Sequence, residues 1–134
     1  MPIASRIVDE HGIVLTRAWD GLADGHLRDH HASLVGHEAF RPSLDQLFDL
    51  QSVTTLEVTT DALRELARRN PFGAGSRRAF VVAPEGALSF GLARVYQGHA
   101  ADDPDRIVVQ FDDMESALAW LERDPVVLRW MPGP

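Results

Sequence analysis

Ala79-Phe80-Val81-Val82-Ala83 is an uninterrupted apolar run of strand length. A strand without polar alternation has no face to give to water, so it must be covered on both sides, which calls for a sheet with helices packed on it. Ile107-Val108-Val109-Gln110-Phe111 repeats the signal. Each run leads into a helical pattern. Pro84-Glu85-Gly86 precedes a stretch with Leu88, Gly91, Leu92 and Val95 on one face, and Asp112-Asp113 opens a last helix whose inner stripe is Met114, Ala117, Leu118 and Leu121, closed by Asp124-Pro125. Strand followed by helix, repeated, implies parallel neighbours joined by right-handed crossovers.

The first part of the chain begins differently. Ile3 to Val8 and Ile13 to Trp19 are β-rich runs separated by Asp9-Glu10-His11-Gly12, a turn whose glycine suits the left-handed conformation of a bulged hairpin. From Leu22 to about His37, Ala23, Leu27, His31 and Leu34 recur at helical spacing, and Gly36 helps to end the helix. Leu44 to Leu50 alternates well enough to read as a strand. Thr59 or Thr60 caps a helix that runs to Arg69 and stops at Asn70-Pro71. The expected fold is therefore α/β: a mixed sheet of about five strands, an opening β-hairpin followed by parallel βα units, with about four helices. With 134 residues, no linker, no repeat and no low-complexity segment, residues 1–134 read as one domain. The apolar tail over 126–134, with Val126-Val127-Leu128-Arg129-Trp130-Met131, is expected to dock on it or to meet another chain.

Composition removes whole classes of chemistry. The chain has no cysteine, hence no disulfide, thiolate metal site or cysteine nucleophile, in keeping with a cytoplasmic location. It has no lysine either, which excludes a phosphate-cradling lysine and Schiff-base catalysis. The N-terminus lacks the apolar stretch of a signal peptide, and no apolar run is long enough to span a membrane. A net charge of −7 repels phosphate backbones. Arg64, Arg68, Arg69, Arg77 and Arg78 do gather around Asn70-Pro71-Phe72-Gly73, but with no interleaved aromatic motif, so no nucleic-acid partner is expected.

Few constellations suggest a site. His26 and His30 lie four apart on the first helix, which is metal-ligand spacing, yet His-Glu-x-x-His is not formed, and they read as a surface pair. His31 is expected to face the sheet with Leu27 and Leu34, hydrogen-bonded and partly buried. Ser52, Ser76 and Ser89 lack a nucleophile elbow, and Phe72-Gly73-Ala74-Gly75 precedes a strand rather than opening a helix, unlike a dinucleotide loop. Phe90 and Arg94 share a helix face and offer a partner surface. In open α/β sheets, ligands settle outside the carboxyl ends of parallel strands, which places Gln51, Ser52, Thr54, Pro84, Glu85 and Ser89 at a candidate ligand site.

Leu47-Phe48-Asp49-Leu50, Arg78-Ala79-Phe80-Val81-Val82-Ala83-Pro84, Gly91-Leu92-Ala93-Arg94-Val95-Tyr96 and the segment from Phe111 to Leu121, in this order of elements, resemble the STAS fold in its SpoIIAA-like branch, also described as STAS/CRAL-TRIO-like. The resemblance covers nearly the whole chain and implies a bacterial regulatory or ligand-binding module. In STAS regulators a serine within Asp-Ser-Ser/Thr-Gly is phosphorylated. The comparable stretch here, Asp49-Leu50-Gln51-Ser52-Val53-Thr54-Thr55, lacks that glycine and the Asp-Ser pair, leaving Ser52 as the nearest acceptor. The expectation is a non-catalytic module without a cofactor that binds a small or apolar ligand or a protein partner, with a homodimer open. A phospho-regulated antagonist switching on Ser52 and a histidine- or metal-dependent enzyme, with His26 and His30 as the candidate metal ligands, are the alternatives.

Overall fold

The computed structural model describes residues 2–73, 75–83 and 107–133, and of 107 and 108 the backbone alone. β1 (Ile3–Val8) and β2 (Ile13–Ala23) pair antiparallel through a 3-10 turn, Asp9–His11, and Gly12 leaves that turn with φ of 61°, the left-handed region where a side chain would be strained. β3 (Asp45–Glu57), β4 (Arg77–Val81) and β5 (Ile107–Phe111) then add in parallel, giving one five-stranded mixed sheet in the order β1-β2-β3-β4-β5.

The registers sort side chains onto two faces. Ser5, Thr16, Phe48 and Phe80 belong to one row of neighbours, as do Val14, Gln46 and Arg78, and all lie on one face. Leu15, Leu47 and Ala79 lie on the other. Helices α1 (Asp24–Val35) and α2 (Thr60–Arg68) cover the first face, where Leu27 and Leu63 pack on Ile3, Ala18, Phe48, Leu50 and Phe80. Helix α3 (Met114–Trp120) covers the second with Ala117 and Leu118, joined by Leu121 and by Val127 from the final 3-10 turn, Pro125–Trp130. Leu128, Trp130 and Met131 extend that cluster, so the described part of the apolar tail lies against its own sheet. Among the described residues no helix is long and apolar enough to cross a membrane.

Several boundaries differ from those read in the sequence, the end of β2 among them, which lies at Ala23 rather than Trp19. β3 does not end at Leu50 but continues to Glu57, because β2 keeps pairing with it as far as Ala23↔Glu57, past the last β4 partner at Asp49↔Val81. Two register shifts, at Arg17/Trp19 and Asp20/Gly21, bend the pair, and Asp20 takes a positive φ of 56° there. For the same reason α1 starts at Asp24 rather than Leu22: Leu22 and Ala23 are still strand. The helix expected over Leu88, Gly91, Leu92 and Val95 lies outside the described residues, as do Pro84, Glu85, Ser89, Phe90 and Arg94.

Candidate functional site

α1 and α2 do not seal the sheet beneath them. Between them is a cleft with a cavity of about 70 Å³, walled by Leu22, Leu27, Phe48, Leu63, Leu66 and Phe80 and by the Pro71-Phe72 corner after α2. That is smaller than the roughly 150 Å³ of a dry cavity that encloses benzene, so the space suits the end of a molecule whose remainder lies in the cleft mouth. Tethers hold the two helices apart at fixed positions. Asp24, in the first turn of α1, accepts from both the backbone N–H and the hydroxyl of Thr59 at 2.8 Å, and Thr59 in turn caps α2 by accepting from the Ala62 N–H at 3.1 Å. At the other end His31 Nε2 donates to the Arg69 carbonyl at 3.0 Å.

The floor is polar. Arg78, Gln46 and Thr16 are 7%, 2% and 0% exposed, so their polar atoms have to be satisfied inside the protein. Arg78 donates through Nε and Nη2 to Gln46 Oε1 at 2.9 and 2.7 Å, while its guanidinium stacks on the Phe72 and Phe80 rings. Gln46 Nε2 reaches Thr16 Oγ1 at 2.9 Å, Thr16 Oγ1 meets Ser5 Oγ at 2.6 Å, and Ser5 Oγ meets His30 Nε2 at 2.6 Å. Polar side chains thus run unbroken from β4 through β3, β2 and β1 up to α1.

The direction of this chain follows from its first member. A guanidinium only donates, so the Gln46 oxygen faces Arg78 and the amide N–H faces Thr16. Thr16 receives that hydrogen and passes its own to Ser5, its other partner among the described residues, and Ser5 passes its own to His30. His30 Nε2 is therefore an acceptor, and the neutral ring holds its proton on Nδ1. Protonating Nε2 would require every hydroxyl in the chain to turn round and would leave the Thr16 hydrogen without its acceptor. Desolvation by burial, with the neighbouring His31 and Arg78 adding to it, pushes the His30 pKa down from 6.5 to about 4, which agrees with that direction.

These positions correct several expectations. His26 and His30 are not a surface pair. His26 Nδ1 accepts from the Ala23 N–H at 3.0 Å and closes the first turn of α1, and His30 is turned to the sheet by Ser5. No group of three potential metal ligands occurs among the described residues. His31 lines the cleft, but its ring reaches for α2 rather than the sheet. Gln51, Ser52 and Thr54 are exposed residues of β3, not a loop, and none of them lines the cavity. The arginine cluster is dispersed: Arg78 is buried, Arg77 donates to Glu122 and to the Trp120 carbonyl, and Arg64 and Arg69 pair with Asp61 and Glu65. The cleft itself was not anticipated. Its signal was present as Gln46 and Arg78, two polar residues on otherwise apolar strands, but only the register places them on one face.

No family model matches the chain, and no curated protein matches it. Among solved structures the fold is similar to that of an uncharacterised DUF3478-family protein with a SpoIIAA-like fold from Shewanella loihica PV-4. The two share 21% identity at a TM-score of 0.53, over 89% of this chain and 93% of that one. The chain thus has a SpoIIAA-like fold. At this identity the likeness concerns architecture, and function has to be argued from the cleft.

Proposed function

We propose that this protein is a non-catalytic SpoIIAA-like module that binds a small, mainly apolar ligand in the cleft between α1, α2 and the sheet, and that ligand occupancy is what it reports to a regulatory partner. The observation that carries this reading is the apolar cavity with a hydrogen-bonded polar floor. Core strands do not ordinarily accept an arginine, a glutamine and a threonine side by side, because burying them gains less than burying aliphatic side chains would. Their presence at the base of a cleft is the arrangement expected where a ligand must be oriented as well as held.

The Ser5–His30 contact has the length of a nucleophile–base pair, but an imidazole with a pKa of about 4 is a weak proton acceptor at neutral pH. The contact is better explained as the end of the polar chain. A phospho-switch on Ser52 gains no support from its position, since Ser52 stands within a paired strand, opposite Trp19.

Native mass spectrometry of freshly purified protein, compared with its denatured mass, tests the reading. A discrete adduct lost on denaturation, or uptake of added 2-octanone, is expected. A bare chain that takes up none of 2-octanone, octanoate and octylamine contradicts it.

A further inference from the structure

The polar chain beneath the cleft does more than satisfy buried groups, because it has a direction, and the direction fixes what its last member can offer. His30 accepts at Nε2 and so carries hydrogen on Nδ1, which finds no acceptor among the described residues. The ring lines both the cavity and the neighbouring groove beside β1, with Ser5, Arg6, Ser33 and His37, and Nδ1 is not a sealed, unsatisfied atom, a condition met among the described side chains by Gln110 Oε1. Gln46 is in a similar state: its Oε1 is taken by Arg78, one amide hydrogen is given to Thr16, and the second is unspent. His31, the other imidazole on the wall, uses Nε2–H to hold Arg69. Among the described lining residues there is no aspartate or glutamate. The described lining therefore presents apolar side chains and hydrogen-bond donors.

We propose that the cleft selects apolar molecules ending in an oxygen acceptor, a ketone or carboxylate, whose oxygen sits on the Nδ1–H of neutral His30 while the hydrocarbon lies against Leu22, Leu27, Phe48 and Phe80. This rests on the ligand-binding reading above and specifies its ligand class. Arg78 acts as a positioning residue here: by holding Gln46 Oε1 it sets the sense of every hydroxyl between itself and His30. Among the described side chains that line the cavity, a ligand amine finds no aspartate or glutamate to receive it.

Three probes of equal chain length separate the possibilities: 2-octanone, octanoate and octylamine, each titrated at neutral pH and followed by long-range 1H–15N correlation of the His30 imidazole. The unliganded protein is expected to show the Nδ1–H tautomer. At least one of the two acceptors should bind and shift that resonance, with octylamine weaker by roughly tenfold or more, the value of one hydrogen bond to a buried donor. Binding by the ketone alone or by octanoate alone identifies a neutral or an anionic oxygen as the natural partner. Octylamine binding as well as the acceptors, or an Nε2–H tautomer in the free protein, overturns the proposal while leaving an apolar cavity in place. Failure of all three probes overturns the ligand-binding reading with it. His30→Phe should retain apolar binding and lose the discrimination; if that variant does not fold, the tautomer and the three wild-type titrations still decide.

Discussion

At the scale of single residues the protein turns on His30, whose chemistry is set by atoms it does not touch. Arg78 orients Gln46, Gln46 orients Thr16, and two hydroxyls later the imidazole is held neutral. That has a consequence for stability. The unfolded chain takes up a proton at His30 near pH 6.5, whereas the native chain does so near 4. The contribution is therefore complete above the unfolded value and is lost as pH falls from 6.5 towards 4, amounting to about 3 kcal/mol at most. Urea unfolding of the wild type and His30→Phe at about pH 7 and about pH 4.5 checks it: the wild type should lose more stability between the two conditions than the variant does. Equal losses would mean that His30 titrates normally. The sequence showed this residue but not its role. Spacing of four pairs His26 with His30 on paper, and only the contact with Ser5 on β1 reveals that one caps a helix and the other faces the sheet.

Among the elements, the cleft exists because β2 and β3 outrun β4 and carry α1 and α2 on their extension. The paired ends at Ala23 and Glu57 deliver both helices from neighbouring points, and Asp24 ties them by accepting twice from Thr59. Asp24→Ala should cost about 1 kcal/mol, since the bonds are charge-assisted but exposed. Amide hydrogen exchange should accelerate in the first turn of α2 more than in α3; uniform acceleration would contradict a local tether. Much at this scale was legible beforehand. The apolar run at Ala79, the hairpin with Gly12 and the cap at Thr59 are local signals, and each stands where the pattern placed it. The length of β3 was not legible. Beyond Asp49 it loses its β4 neighbour, its side chains turn polar towards water, and polar Gln51-Ser52 reads as a loop when the continued pairing with β2 cannot be seen.

Over the whole molecule, the sheet divides two kinds of interior. The face under α3 and the final turn is mainly close-packed hydrocarbon, with Ile13, Leu15, Leu47, Leu121 and Val127 fully buried, beside the buried Asp49, which Arg17 pairs at 3.1 Å. The face under α1 and α2 combines hydrocarbon with a directed polar row and leaves room. On the proposed function, one side is built for stability and the other gives up some packing for recognition. The central claim is that a ligand enters that side. Methyl-resolved NMR of the intact chain titrated with 2-octanone and, separately, with octanoate tests it most directly. Shifts concentrated at Leu22, Leu27, Leu63 and Leu66, with Leu15, Leu47, Leu118 and Leu121 unmoved, are the predicted result. No saturable shift with either probe, or shifts centred on the α3 side, would contradict it.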